Sequence, residues 1–336
     1  MNIHTSLFDE QILEVENLQL GRSGSRAFSL VNGVSFSLKA GKTLALVGES
    51  GSGKSLTALS VLRLLPEPSV RVLGGSIRFE GRDLLSLNGP DLRDVRGGGI
   101  AMIFQEPLSA LNPVMSIGNQ LREAVRAHEK LDRKATDKRV IELLELVRMP
   151  DPERVAREFP HRLSGGMRQR VLIAMAMAGR PRVLIADEPT TALDVTVQAE
   201  VLDTLRGLQD KFGLAILLIT HDLGLVADYA SDVAVMYAGR IVEHGPVHEV
   251  LGSPFHPYTR GLLNARPHAG QIACGGVRPR LTEITGSVPN PLDMPSGCPF
   301  WPRCPVATGA CQLRRPSLSP VGINHAAACF KAEALT

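Results

Sequence analysis

Gly48-Glu49-Ser50-Gly51-Ser52-Gly53-Lys54-Ser55 is the stretch on which the reading of this 336-residue chain turns. Thr43-Leu44-Ala45-Leu46-Val47 precedes it, an apolar run that predicts a buried strand. Leu56 to Leu65 follows it as a predicted helix ending at Pro66. Strand, glycine loop, Gly-Lys-Ser and helix, in that order, are the context a P-loop requires. The glycines let backbone N–H groups turn inward around phosphate oxygens with no Cβ in the way. The helix points its positive end at the same anion. Lys54 is placed to reach the β- and γ-phosphates, and the Ser55 hydroxyl to hold Mg2+. A glycine-rich turn of another α/β protein would also match eight residues, but it would lack both flanks.

Upstream, Ile12 to Leu20 and Gly33 to Leu38 alternate apolar and polar residues and predict half-exposed antiparallel strands. The P-loop strand does not alternate, as expected of a parallel strand covered on both faces. Downstream, Ile100-Ala101-Met102-Ile103-Phe104 is again continuous and apolar and ends on Gln105. An amide at the carboxyl end of a buried strand sits where α/β sheets bind ligands; as a lone residue it is equally a strand terminator before Pro107. Leu108 to Phe159 turns helical, with Val140, Ile141, Leu144 and Val147 on one face.

Leu163-Ser164-Gly165-Gly166-Met167-Arg168-Gln169-Arg170 then opens an apolar helix. Ser164 is a sound N-cap, and Gly165 and Gly166 expose the first N–H groups, so this is either a capped helix or a second anion-binding helix end. Arg182 to Pro189 predicts a buried strand ending in Asp187 and Glu188. Carboxylates there are costly unless they meet a cation or a reacting group. Asp187 suits Mg2+, and Glu188 is placed to take a proton from attacking water. Leu214 to Ile219 is another such strand, ending Thr220-His221-Asp222. Lys54, Gln105, Asp187, Glu188 and His221 are thus expected at one sheet edge. Asp232 to Glu243 predicts a closing hairpin.

Net charge of +3, from 37 basic and 34 acidic residues, is too balanced to argue for nucleic acid. No apolar run approaches a membrane span, and Met1 to Glu14 has no signal-peptide core, so a reducing, cytosolic setting is expected. After Gly252, prolines such as Pro254, Pro267, Pro279 and Pro302 crowd a loop-rich tail that is too short to build much core. Such a unit needs a staple. Cys298, Cys304, Cys311 and Cys329 could supply it as zinc ligands, as iron–sulfur ligands or as thiols, and their spacing does not decide between these.

Together these motifs resemble the ATPase subunits of ABC transporters, over nearly the whole chain. The P-loop, Gln105, the Leu163 to Gln169 signature, Asp187-Glu188, the Ala192-Leu193-Asp194 loop and His221 occur in that family's order, and the signature is the diagnostic part. More narrowly, Gln105 to Pro113, His256-Pro257-Tyr258-Thr259 and the tail from Gly297-Cys298-Pro299-Phe300 resemble the peptide/nickel (oligopeptide/dipeptide) importer branch. The resemblance implies an α/β P-loop NTPase: a RecA-like core with an antiparallel β subdomain and a helical insertion, plus a small loop-rich C-terminal domain. It divides the chain into an ATPase domain, 1–255, with its helical part at about 108–165, and a C-terminal domain, 256–336.

The resemblance also implies ATP held between two such subunits, head to tail, with the P-loop of one facing Ser164, Gly165 and Gly166 of the other. Glu188 would act as base, His221 would contact the γ-phosphate, and Ser55, Gln105 and Asp187 would attend Mg2+. The four tail cysteines would bind a 4Fe-4S cluster. Implied partners are a homologous or identical ATPase, two transmembrane permease subunits and an extracytoplasmic solute-binding protein, with this chain peripheral on the cytoplasmic side of the membrane. The expected cargo is a peptide; nickel, another small solute, or a soluble non-transport role are the alternatives. A nucleic-acid-directed relative would carry a long coiled-coil insertion or a second cassette, and neither is here. One departure stands out: where the family usually stacks an aromatic on adenine, this chain has Gly21-Arg22, with Phe28 or Arg22 as substitutes.

Overall fold

The computed structural model describes residues 11–22, 27–105, 110–191, 193–265 and 283–331. Of the residues quoted above, 1–10, 106–109, Ala192, Pro267 and Pro279 lie outside the described residues.

The alternating segments form β1 (Gln11–Arg22) and β2 (Phe28–Lys39), an antiparallel pair longer than the sequence predicts. β3 (Thr43–Val47) is buried at every residue and feeds the glycine loop into α1 (Lys54–Val61). The helix stops short of the expected Leu65. Arg63 takes a left-handed backbone at φ 52, which closes the last turn. The Arg96 side chain then donates to the Leu62 and Arg63 carbonyls at 2.9 Å each. β4 (Arg71–Phe79), β5 (Arg82–Asp83) and α2 (Gly89–Val95) lead to β6 (Ile100–Ile103).

The helical insertion is α3 (Ile117–His128), α4 (Arg133–Leu146) and α5 (Pro152–Arg157), capped by Ser116, Asp132 and Asp151. α6 (Gly165–Ala176) returns to β7 (Val183–Asp187), α7 (Val195–Phe212), β8 (Ala215–Thr220) and α8 (Leu223–Tyr229). β9 (Asp232–Tyr237) and β10 (Arg240–Pro246) form the closing hairpin. After it come α9 (Val247–Gly252), α10 (Pro257–Asn264), α11 (Gly309–Leu313), β11 (Ser319–Pro320) and β12 (Ala326–Ala327).

Two sheets result. The smaller runs β2-β1-β4-β5, all antiparallel. The larger runs β11-β12-β10-β9-β3-β8-β7-β6, with β9, β3, β8, β7 and β6 parallel. The parallel strands read as unbroken apolar runs because successive residues enter different cores. Leu217 and Ile219 of β8 pack toward the small sheet with Leu13, Leu38 and Ile77. Ile216 and Leu218 pack toward the helices with Leu143, Val171 and Leu205.

A third core joins the proline-rich segment to the sheet. Tyr237, Tyr258 and Phe300 pack their rings tilted or edge-on, with centroids 4.7 to 5.4 Å apart. Beside them Glu243 is wholly buried. Its carboxylate accepts from the Phe255 and His256 N–H groups at 2.7 and 3.0 Å and pairs with His325 at 2.8 Å. The tail therefore extends the main sheet: β12 pairs with β10, and β11 with β12. Strands of two residues carry no periodicity, so the sequence did not reveal them.

Candidate active site

The register of the parallel strands sets the site. Val47 lies opposite Thr220, Ile219 opposite Asp187, and Ala186 opposite Ile103. Each strand thus ends at the same edge, and the chain beyond it supplies one polar group there.

The loop after β3 is tight. Gly48 has φ 155, and a Cβ on it would sit 2.2 Å from the Met236 carbonyl oxygen, so no side chain fits. The buried Lys54 ammonium donates to the Gly48 carbonyl at 2.7 Å and the Glu49 carbonyl at 3.0 Å. Burial lowers the Lys54 pKa, while Glu188, Asp187 and Glu49 pull it back up. The Ser55 hydroxyl donates to Asp187 Oδ1 at 3.1 Å. Burial raises the Asp187 pKa, offset in part by that hydrogen bond. A hydroxyl and a buried carboxylate side by side form a hard-oxygen donor set, the chemistry Mg2+ takes.

Glu188 has φ 46, a left-handed conformation unusual for a residue other than glycine. Three groups hold its carboxylate. Gln105 Nε2 donates to Oε2 at 3.0 Å, the Thr191 hydroxyl donates to the same oxygen at 2.8 Å, and His221 Nδ1 lies 3.4 Å from Oε1. Strain held in place by this many partners is a mark of functional positions.

The structure thus brings together Gly48 to Ser55, Gln105, Asp187, Glu188 and His221. Ser164, Gly165 and Gly166 have other neighbours. The Ser164 hydroxyl accepts from the Met167 N–H at 3.3 Å, capping α6. A Cβ on Gly166 would meet Val197 at 2.4 Å, so this glycine lets α6 press against the start of α7. Glu49 has a neighbour from far along the chain. Its N–H donates to the Tyr258 hydroxyl at 2.8 Å. The sequence reading missed Thr191, Tyr258 and Arg303 as neighbours of this site. Tyr258 lay within a quoted motif, but nothing local placed it near the loop.

The four cysteines are free, half-buried thiols. Burial pushes Cys298 up to about 11, with Cys311, Cys304 and Cys329 adding to the rise and the Phe300 N–H opposing it. The Lys331 N–H donates to Cys329 Sγ at 3.4 Å, and the Thr308 hydroxyl contacts Cys311 Sγ at 3.4 Å. Among the described residues, no group of three or more His, Cys, Asp or Glu is arranged to hold a metal ion.

Residues 31–191 match the family model described as "ABC transporter", and residues 242–311 match "Oligopeptide/dipeptide transporter, C-terminal region". A probable peptide ABC transporter ATP-binding protein of Sinorhizobium fredii is 48% identical over 321 residues, covering 95% of both chains. The oligopeptide transport ATP-binding protein AppD of Bacillus subtilis is 46% identical over 320 residues, covering 95% of this chain and 96% of AppD. The chain belongs to the ABC transporter ATP-binding family. Its fold agrees: cbiO1 from Clostridium perfringens, part of the ABC transporter complex cbiONQ, superposes with a TM-score of 0.63 at 28% identity, covering 72% of this chain and 91% of that one. This ABC ATPase therefore carries its P-loop, Gln105, Asp187, Glu188 and His221 on one edge of a P-loop NTPase sheet. In the ABC cassette the departure at Gly21-Arg22 falls where β1 meets β2, with Gly21 opposite Ser29 and Arg22 opposite Phe28. Among the described residues, no helix is long and apolar enough to cross a membrane.

Proposed function

We propose that this ABC ATPase powers the import of peptides, as a subunit bound to the cytoplasmic side of a membrane permease. The observation that carries the reading is end-to-end similarity to peptide-importer ATPases, including the C-terminal region that matches the oligopeptide/dipeptide transporter model. The partners would be a second ATPase subunit, two permease subunits and an external solute-binding protein.

In the proposed reaction Lys54 exchanges its bonds to the Gly48 and Glu49 carbonyls for the β- and γ-phosphates of ATP. Ser55 and Asp187, with Gln105 nearby, would hold Mg2+, which when bound neutralises the phosphate charge. Glu188 accepts a proton from the attacking water, and His221 steadies that carboxylate and faces the γ-phosphate. Ser164, Gly165 and Gly166 neighbour Met167, Leu193 and Val197 rather than their own P-loop. This fits their serving the nucleotide of a partner subunit, through the exposed N-terminus of α6. Hydrolysis would then remove the phosphate that joins the two subunits.

We read the four cysteines as ligands of a 4Fe-4S cluster. What supports this is proximity. Cys304, Cys311 and Cys329 all lie close enough to act on Cys298, and the Phe300 and Lys331 N–H groups donate to the sulfurs of Cys298 and Cys329. Burial and the neighbouring sulfurs keep Cys298 protonated in the free chain, so a bound cluster would have to displace that proton. Bound there, the cluster would cross-link a segment with few regular elements. Iron and sulfide assays on anaerobically purified protein, with absorbance near ~400 nm, test this, and loss of both in Cys304→Ser is expected. The transport reading is tested by reconstituting the chain with its permease and binding protein. Peptide should stimulate Mg-ATP hydrolysis, and stimulation by Ni2+ alone would reassign the cargo.

A further inference from the structure

Glu49, the second residue of the glycine loop, is held by residues far along the chain. Arg303 Nη1 donates to Oε2 at 2.9 Å and Nη2 to Oε1 at 3.1 Å, a two-pronged pair. The Arg303 side chain is only 6% exposed. Its Nε donates to the Thr285 carbonyl at 2.9 Å and Nη2 also to the Ile284 carbonyl at 3.2 Å. The guanidinium carbon lies 5.8 Å and 6.0 Å from the Tyr237 and Phe300 ring centroids. The other polar groups of Glu49 are also taken: its N–H by Tyr258, its carbonyl by Lys54 at 3.0 Å.

A carboxylate in a loop that wraps a polyphosphate opposes the ligand's charge. A buried guanidinium on that carboxylate cancels the charge. The backbone of Glu49 is held separately, by the Tyr258 hydroxyl on its N–H and by Lys54 on its carbonyl. The tight turn from Trp301 to Arg303 holds the arginine in place, with the Trp301 N–H bonded to the Cys298 carbonyl at 3.1 Å. We propose that Arg303 is a positioning residue of the nucleotide site: acting through the Glu49 carboxylate, it screens the loop's own negative charge from the triphosphate. This rests on the ATPase reading above.

The test is a double-mutant cycle on the full chain, read as Mg-ATP affinity by nucleotide titration, with a thermal melt on each variant. Arg303→Ala should weaken ATP binding about tenfold, and Arg303→Lys, which keeps the charge without the fork, should recover part of that. Glu49→Gln should tighten binding. The double variant Glu49→Gln/Arg303→Ala should return to within about twofold of wild type, because no uncompensated charge remains. An arginine that only docks the tail would leave the double variant as weak as Arg303→Ala, and that result overturns the proposal. So does an Arg303→Ala affinity equal to wild type. If Arg303→Ala melts early, Arg303→Lys decides: unchanged affinity overturns the proposal and weakened affinity supports it. A wild-type chain that binds no ATP would instead overturn the ATPase reading itself.

Discussion

The amide of Gln105 donates to the Glu188 carboxylate at 3.0 Å, joining the chain beyond two neighbouring strands of the parallel sheet. The Thr191 hydroxyl shares the same oxygen at 2.8 Å, so the carboxylate has little freedom to turn. Glu188→Gln keeps the shape but cannot accept a proton. Turnover should fall by about 10² to 10⁴-fold while ATP still binds. Phosphate release and nucleotide titration on the same preparation check both halves, and normal hydrolysis in this variant would remove Glu188 from the mechanism.

Asp187 should trade stability for function. Burial raises its pKa above the ordinary 3.8, so between that value and the raised one the folded chain binds more protons than the unfolded chain. Stability therefore falls as pH rises through that window, and the full cost persists above it. Asp187→Asn removes the buried charge and keeps an oxygen that can accept from Ser55. Without nucleotide, its Tm at neutral pH should rise by about 2 °C or more, while Mg-dependent hydrolysis is lost. Calorimetry paired with an ATPase assay gives the answer.

His256 works in the opposite sense. Complete burial lowers its pKa from 6.5 to about 3, and its Nδ1 accepts from the Tyr258 N–H at 3.1 Å. The unfolded chain takes up a proton near 6.5 that the folded chain refuses until about 3, so stability is lost as pH falls across that window. Asn at this position retains an N-capping oxygen and does not titrate. The Tm of His256→Asn should depend less steeply on pH between those limits than that of wild type.

Thiol chemistry offers a further check. In the cysteine-free-thiol state Cys298 is held up to about 11, chiefly by burial, and so stays protonated at neutral pH. Alkylation of Cys298, followed by peptide mass mapping, should be slow at about pH 7 and quicken roughly tenfold per pH unit above it, since the thiolate is the nucleophile. Rapid labelling at neutral pH would mean that the thiol is not buried in solution.

Much of this site is legible in the sequence because its parts are local. A continuous apolar strand ending in or followed at once by a polar group marks Asp187 and His221, and a strand leading into the glycine loop marks Lys54, all without any knowledge of pairing; parallel pairing then aligns them. Gln105 on its own is ambiguous; only the neighbouring β7 makes it a partner of Glu188. What stayed hidden depends on long-range placement. Arg303 meets Glu49 from 254 residues away and Tyr258 from 209, and no spacing rule connects such positions. The edge strands β11 and β12 were invisible for a related reason: two residues cannot show a period, and their place is fixed by the buried Glu243–His325 pair.

That edge has a consequence for biosynthesis. The outermost ribbon of the main sheet is made from residues 319–327, so the side of β10 that they cover has no strand partner until those residues, far beyond β10 in the chain, have left the ribosome. A nascent or prematurely terminated chain ending near residue 265 would display β10 as an open template for foreign strands. In the finished molecule the outer rung ends in Pro320, which has no N–H to offer a further strand, so growth of the ribbon stops there.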